Sequence, residues 1–239
     1  MKINIIFPVL DEELRLESGI VRVMDYLRKN GMNQTVVTIV DNGSTDGTAA
    51  VSRKLCRRYS NLSYIRIEQK GVGIAFKTAV MRNECEIIGY MDIDLSTDIR
   101  MLKRMEAAFD RDETLDMVNA SRYHRKSRLI GRKWYRNFVS YCLVFILKLV
   151  FHMRATDAIC GFKFFRKECI EELLAQASDE NGWFLLIEVL LRAERAGKHI
   201  AELPVTWVYE EHTKVKIWKV TKNYIRQIRR LAKTFRQEG

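Results

Sequence analysis

Short apolar runs recur through the first half of the chain, at Ile3 to Phe7, Val36 to Val40, Leu62 to Ile67 and Ile87 to Met91. Each is too short for a stable helix and is dominated by residues that favour a pleated, buried strand. Longer segments with apolar positions at helical spacing lie between and after them, near Glu17 to Lys29, Thr45 to Tyr59, Ile74 to Asn83 and Ile99 to Phe109. Strand and helix in alternation predict an α/β fold, a mostly parallel sheet flanked by helices. Ligands of such sheets bind beyond the carboxyl ends of the strands. Those ends carry four polar clusters, Pro8 to Glu13, Asp41 to Thr48, Glu68 to Gly73 and Asp92 to Asp94, which are therefore expected on one edge.

A further strand is expected at Leu115 to Ala120, and after it the alternation stops. From Trp134 to Met153 the chain is apolar on nearly every helical face, with Phe138, Tyr141, Phe145 and Leu149 on one stripe and Val139, Leu143, Ile146 and Val150 on another. Interrupted by Lys148, it does not reach the roughly 20 apolar positions of a membrane span. Two readings stay open: a helix lying in a membrane interface, or one buried in the core or in a dimer contact. The last segment, Lys214 to Arg236, places Trp218, Tyr224, Ile228, Leu231 and Phe235 among cations and predicts a basic amphipathic helix.

Composition narrows the class. With 239 residues, two prolines and no linker, the chain reads as one large domain. Five cysteines without a C-x-x-C pair argue against a disulfide framework or a zinc site, and fit a reducing compartment. The first apolar run is too short for a signal peptide. Lys and Arg exceed Asp and Glu by 41 to 30, a net charge of +11. No acid occurs from Met117 to Thr156, whereas Arg122, Arg132, Arg136 and six other cations fall there. Both this stretch and the C-terminal run should face something anionic. A nucleic-acid backbone is one such partner, but no nucleic-acid-binding motif is present and the cations flank a greasy helix.

The candidate chemistry centres on Asp92-Ile93-Asp94, where a buried strand emerges. Two carboxylates one residue apart repel unless a cation sits between them, so the pair reads as a metal site. The competing reading is a helix start, with Asp94 and Ser96 as caps and Asp98 in the first turn. Asp41, last in its strand, is placed to accept hydrogen bonds from a base or ribose. Gly71-Val72-Gly73 lacks the third glycine of a dinucleotide loop, yet Lys70 before a glycine turn suits a phosphate.

Taken in order, these motifs resemble the family 2 glycosyltransferases with a GT-A fold, a Rossmann-like mostly parallel sheet flanked by helices, and in particular those that glycosylate dolichyl or polyprenyl phosphate. The resemblance rests on Phe7-Pro8 with Asp11-Glu12-Glu13, on Val40 to Thr48, on Lys70 to Ala75 and on Met91 to Thr97. It continues through Ser121-Arg122, Asp157 to Lys163, Trp183 to Glu188 and Glu202 to Trp207. It implies that Pro8, Glu12, Asp41, Lys70, Gly71, Gly73, Asp92, Ile93 and Asp94 bind a nucleoside-diphosphate sugar. Asp92 and Asp94 would hold Mg²⁺ or Mn²⁺. Asp94, Asp157 and Glu188 are the implied catalytic acids, while Arg122, Arg132 and Arg136, together with the tail's Lys214, would meet the lipid phosphate. The sequence departs from the family at Leu10-Asp11-Glu12, where Tyr-Asn-Glu is usual, and at Leu186, where an acid stands two before the glutamate.

The resemblance divides the chain into a nucleotide-sugar half, about 1–115, and an acceptor half, about 116–211, containing interfacial helix 134–153. A basic tail, 212–239, follows. It implies an inverting transferase at the cytoplasmic face of a membrane, peripheral and without a transmembrane helix, with UDP-glucose favoured over GDP-mannose. Leu95-Ser96-Thr97 and the surroundings of Trp207 lean toward glucose. Transfer to a sugar hydroxyl of a polysaccharide or glycolipid stays open, as does a homo-oligomer or a membrane-protein partner. No nucleic acid is expected.

Overall fold

A computed structural model describes residues 1–209 and 217–238. The alternation read from the sequence is present as β1 (Ile3–Val9), α1 (Glu13–Lys29), β2 (Val36–Asn42), α2 (Thr48–Arg58), β3 (Leu62–Ile67), α3 (Val72–Val80), β4 (Ile87–Met91) and α4 (Met101–Arg111). The second half continues through β5 (Met117–Ser121), β6 (Arg128–Ile130), α5 (Trp134–Phe151), β7 (Phe162–Arg166), α6 (Lys167–Gln176), α7 (Phe184–Arg195), β8 (Ile200–Pro204), β9 (Thr206–Val208) and α8 (Ile217–Gln237).

Seven strands form one sheet in the order β3-β2-β1-β4-β7-β5-β8. Only β7 runs against the others, pairing antiparallel with both β4 and β5. Six strands therefore deliver their carboxyl ends to one edge. Apolar side chains leave the sheet on both faces: Ile3, Ile5, Phe7 and Val9 pack beneath α1, α2 and α4, whereas Ile6, Ile88 and Tyr90 pack beneath α3 and α5 to α8. A small parallel pair, β6 and β9, lies beside the edge, and Trp207 of β9 bridges to Thr97.

The helix starts shift by a few residues from the periodicity, with a tertiary cause in α1 and a local one in α4. α1 begins four residues early because Thr48 Oγ1 and Asp46 Oδ2, on the neighbouring loop, accept the N–H groups of Glu12 and Glu13. Orphan amides at a helix start can be satisfied by any nearby acceptor, and this one is invisible in the local sequence. α4 begins late, at Met101, after Asp98 has closed a turn on the Arg100 N–H.

Helix α5 corrects the expectation that this segment is too short. It has 18 residues, about 27 Å at 1.5 Å per residue, and among the described residues it alone is long and apolar enough to cross a membrane. The core-helix reading also fails. Only Ser140, Val144 and Leu147 are buried, while Trp134, Phe138, Phe145 and Leu149 are 78, 62, 66 and 69% exposed. α8 behaves differently: its Tyr224, Ile228, Leu231 and Phe235 are buried, with Phe235 against Phe151 and Tyr224 against Phe184. From Tyr224 on, its apolar stripe therefore belongs to the protein core, and Lys222, Arg226, Arg229 and Lys233 remain outside. Lys214 lies outside the described residues.

Candidate active site

The first two polar clusters are stitched together at the sheet edge. Asp11, at φ 54°, donates its N–H to Ser44 Oγ at 2.9 Å and accepts the Thr45 N–H at 2.7 Å. Glu13 accepts the Gly47 N–H at 2.6 Å. Pro8 stands beside Val40 in the ladder. Glu12 is held by a bidentate ion pair with Arg15, both bonds 2.7 Å. Asp41 is fully buried and fully engaged: Ser44 N–H, Tyr64 hydroxyl and Arg66 Nη1 donate to it at 2.8, 2.8 and 3.0 Å. To meet a base or ribose, Asp41 must exchange one of these partners.

Lys70 is exposed beside the same edge. The two glycines after it answer first to packing. Gly71, at φ 143°, has the Asn181 carbonyl oxygen where a Cβ would stand, 2.1 Å away, and a Cβ on Gly73 would lie 2.6 Å from the Gly182 oxygen. The Gly71 N–H donates to Asn42 Oδ1 at 3.1 Å and the Ile74 N–H to Asn181 O at 3.1 Å. The turn thus docks α3 on the segment before α7, and Lys70 makes no ion pair among the described residues.

At the end of β4, Asp92 is solvent-accessible, with Gly161 packed against its carboxylate. Neither of its carboxylate oxygens accepts a hydrogen bond from the described residues. Weakened solvation, then the neighbouring Asp94 charge, push its carboxyl up to about 7, against the pull of Arg122 and Lys163. Asp94 accepts the Ser96 N–H at 2.9 Å, and Leu95 between them is left-handed at φ 52°. Since α4 starts only at Met101, Asp94 is not its cap, and the helix-start reading fails.

Among the described residues no third histidine, cysteine or carboxylate joins this pair. Two hard oxygen donors, one of them wholly unpartnered, fit Mg²⁺ or Mn²⁺ whose other positions go to phosphate and water. The opposite wall is Gly161: a Cβ there would lie 1.8 Å from Asp92 Oδ2. Gly161→Ala is therefore expected to displace the carboxylate and lower transfer on the order of 10²-fold, as misplacing a reacting group by about 1 Å does. Kinetics on folded variant would check this.

Beyond β5 the site is built on a buried ion pair. Arg122, at the end of β5, donates from Nε and Nη2 to Asp157 at 2.7 and 3.1 Å, and its backbone N–H donates to the same carboxylate at 3.0 Å. Ile159 N–H adds a fourth bond at 2.8 Å. Burial pushes the Asp157 carboxyl up, but Arg122 outweighs it and holds the group below its ordinary value. Both carboxylate oxygens are thus engaged, each by two donors, and Asp157 fixes the Arg122 guanidinium. The Arg122 guanidinium also lies over Tyr123 and Trp207, at 5.3 and 5.9 Å from the ring centroids.

Arg132 shares the Trp207 ring at 5.4 Å. Among the described residues its hydrogen bonds go only to neutral groups, Tyr123, Asn137 and Ser140, and no carboxylate pairs with it. Arg136 lies over Tyr209, with a buried Nε that finds no partner among the described residues. Glu188 is elsewhere. On α7 and fully buried, it accepts from Ser178, Arg192 and Arg230, fastening the segment before α7 and helix α8. Trp207, Lys163 and Asn119 were not singled out by spacing. An isolated lysine amid Phe162-Lys163-Phe164-Phe165 was the available signal.

The doubly flanked sheet, its single reversed strand and the paired carboxylates at its edge define a GT-A glycosyltransferase fold. The chain belongs to glycosyl transferase family 2, whose model matches residues 4–174. Among curated relatives, it is 27% identical over 217 residues to glycosyltransferase AglD of Haloferax volcanii, covering 90% of this chain and 34% of that protein. The chain thus spans about a third of AglD. It is 26% identical over 227 residues to the mouse dolichyl-phosphate beta-glucosyltransferase, covering 90% of this chain and 69% of that one. Glucosyl-3-phosphoglycerate synthase from Mycobacterium tuberculosis, solved with Mn²⁺, UDP and glucosyl-3-phosphoglycerate, superposes with a TM-score of 0.69 at 16% identity, covering 95% of this chain and 77% of that one.

Proposed function

We propose that this protein moves a hexose, with inversion, from a nucleoside-diphosphate sugar to a polyprenyl or dolichyl phosphate at a membrane surface. UDP-glucose is the favoured donor and GDP-mannose the second. The observation that carries this reading is the meeting of two sites across Asp92 and Gly161. On one side stand two carboxylates, Asp92 with no hydrogen-bond partner among the described residues and Asp94 holding the Ser96 N–H; on the other stand Arg122, bound to Asp157, and Arg132. The names of the dolichyl-phosphate relatives and the Mn²⁺ and UDP held by the mycobacterial synthase support the same choice.

The reaction forms a bond from an acceptor phosphate oxygen to the anomeric carbon and breaks the bond from that carbon to the donor diphosphate, which leaves with the electron pair. Asp92 and Asp94 would hold Mg²⁺ or Mn²⁺, which would supply positive charge to that leaving group. Lys70, and Glu12 with Pro8 and Asp41 behind it, frame the nucleotide. Arg122 and Arg132, stacked on Trp207, draw in and orient the acceptor phosphate. A phosphate monoester has its second ionisation near pH 6, so at neutral pH the nucleophile is already charged. That matches a site whose buried acceptor-side carboxylate, Asp157, is committed to Arg122. A sugar hydroxyl would instead need a base.

Helix α5 supplies the membrane side of the proposal. Its exposed Phe138, Phe145 and Leu149 follow directly on Arg132, Lys133 and Arg136, which suits the boundary between acyl chains and anionic headgroups. Wild-type protein should float with anionic liposomes, and Phe145→Asp with Leu149→Asp should abolish flotation; unchanged flotation would remove α5 from this role. The reaction itself is tested by product analysis in detergent, with UDP-glucose and GDP-mannose each offered with dolichyl phosphate, with and without EDTA. A glucosylated lipid that EDTA suppresses is expected, and undiminished transfer under chelation would refute the metal role.

A further inference from the structure

A row of polar side chains crosses the middle of the sheet, where apolar ones are the rule. Tyr90 on β4 stands opposite Lys163 on β7, Lys163 opposite Asn119 on β5, and Asn119 opposite Glu202 on β8. Directly opposed residues share one face, so the four line up beneath residues 156–160. Lys163 and Asn119 are fully buried and Tyr90 is 3% exposed. Burying such groups is costly unless each finds a partner.

Here the partner is the loop itself. Glu202 accepts the Thr156 N–H at 2.9 and 3.0 Å and the Thr156 hydroxyl at 2.8 Å. Asn119 Nδ2 donates to the Asp157 carbonyl oxygen at 2.8 Å. Lys163 Nζ and the Tyr90 hydroxyl both donate to the Cys160 carbonyl oxygen, at 3.1 and 3.3 Å. Within the row, Lys163 Nζ donates to Asn119 Oδ1 at 2.8 Å, and Asn119 Nδ2 to Glu202 Oε1 at 3.1 Å. Four strands thus grip one loop by its backbone at three residues. The loop carries Asp157, which fixes Arg122, and runs into Gly161, which walls Asp92. None of the four row side chains hydrogen-bonds Arg122, Asp92 or Asp94.

We propose that Lys163, with Asn119 and Glu202, is a positioning residue for transfer: it fixes the 156–160 loop so that Asp157 aims Arg122 at the anionic acceptor. The inference rests on the proposed reading of Arg122 as the acceptor's ligand. An apolar residue at 163 would strip Asn119 Oδ1 of its Lys163 donor and leave the Cys160 carbonyl with the Tyr90 hydroxyl alone.

Lys163→Met keeps the length of the stem and removes the donors. With dolichyl phosphate and UDP-glucose varied separately, kcat/KM for the lipid should fall on the order of 10²-fold while UDP affinity, by calorimetry, stays within about twofold. In an Arg122→Lys background the same change should cost less than in wild type, because the loop acts through Arg122. Glu202→Gln preserves shape and weakens the Thr156 grip and the Asn119 contact, so it reads out the same loop where Lys163→Met fails to fold. Equal losses in both backgrounds, or a parallel loss of UDP affinity, would assign the row to general stability and overturn the inference. Wild-type transfer with unaffected variants would overturn the inference alone; absence of wild-type transfer would overturn the reading beneath it as well.

Discussion

Asp92→Ala is expected to yield a folded protein whose turnover falls on the order of 10²- to 10³-fold, the cost of removing one preorganised group that stabilises developing charge. The stability half of this expectation is specific to the site. Asp92 accepts no hydrogen bond from the described residues, so its removal orphans no donor, and it relieves repulsion by Asp94. Its melting temperature should match or exceed that of wild type. Asp94→Ala should lose activity to a similar degree but melt somewhat lower, because the Ser96 N–H loses its acceptor. Thermal unfolding and steady-state transfer on the same preparations check both. Near-normal turnover in either variant would return these carboxylates to a local turn-forming role.

The second large effect falls on the Arg122 and Asp157 pair. Both side chains are almost wholly removed from water, 6% and 0% exposed. Breaking such a pair from one side strands a buried charge and costs about 3–5 kcal/mol. Arg122→Ala should therefore be both strongly destabilised and defective for the acceptor, whereas Asp157→Asn keeps the shape and removes the charge. The pH dependence follows in sign. Asp157 has its folded pKa below the unfolded value of about 3.9. Its stabilisation is complete above the unfolded pKa and disappears as pH falls through the lower folded value. Wild-type stability should thus decline steeply on acidification below about pH 4, with a shallower acid limb in Asp157→Asn. Parallel acid limbs would show that the pair does not carry this linkage.

The first half of the fold was legible because its physics is local. Ile3 to Phe7, Val36 to Val40 and their successors are strands buried on both faces, and helical spacing separates them. The edge holding Asp41, Lys70 and Asp92 followed from parallel topology alone. The second half was not legible in the same way. β7 carries a buried lysine amid phenylalanines, and β6 and β9 are three residues each, short enough to be set by tertiary pairing. The early start of α1 depends on Thr48 and Asp46 from another loop. At the site, the sequence placed Asp92, Asp94 and Arg122 at strand ends, where the structure has them. It could not reveal that Asp157 is saturated by Arg122, that Glu188 fastens α8, or that Gly71 and Gly73 serve close packing. Those are facts of contact between distant residues, and spacing carries no record of them. The acid-free stretch from Met117 to Thr156 did forecast the cationic wall, although not that Trp207 would stack two of its arginines.

The central claim is that the nucleophile is a lipid phosphate held by Arg122 and Arg132. The most direct measurement offers UDP-glucose to two acceptors of identical chain, dolichyl phosphate and dolichol, in the same detergent with Mn²⁺ or Mg²⁺, and quantifies glucosylated lipid by mass. Product from the phosphate alone, diminished in Arg132→Ala, is the predicted result. Equal or greater transfer to the hydroxyl would contradict it.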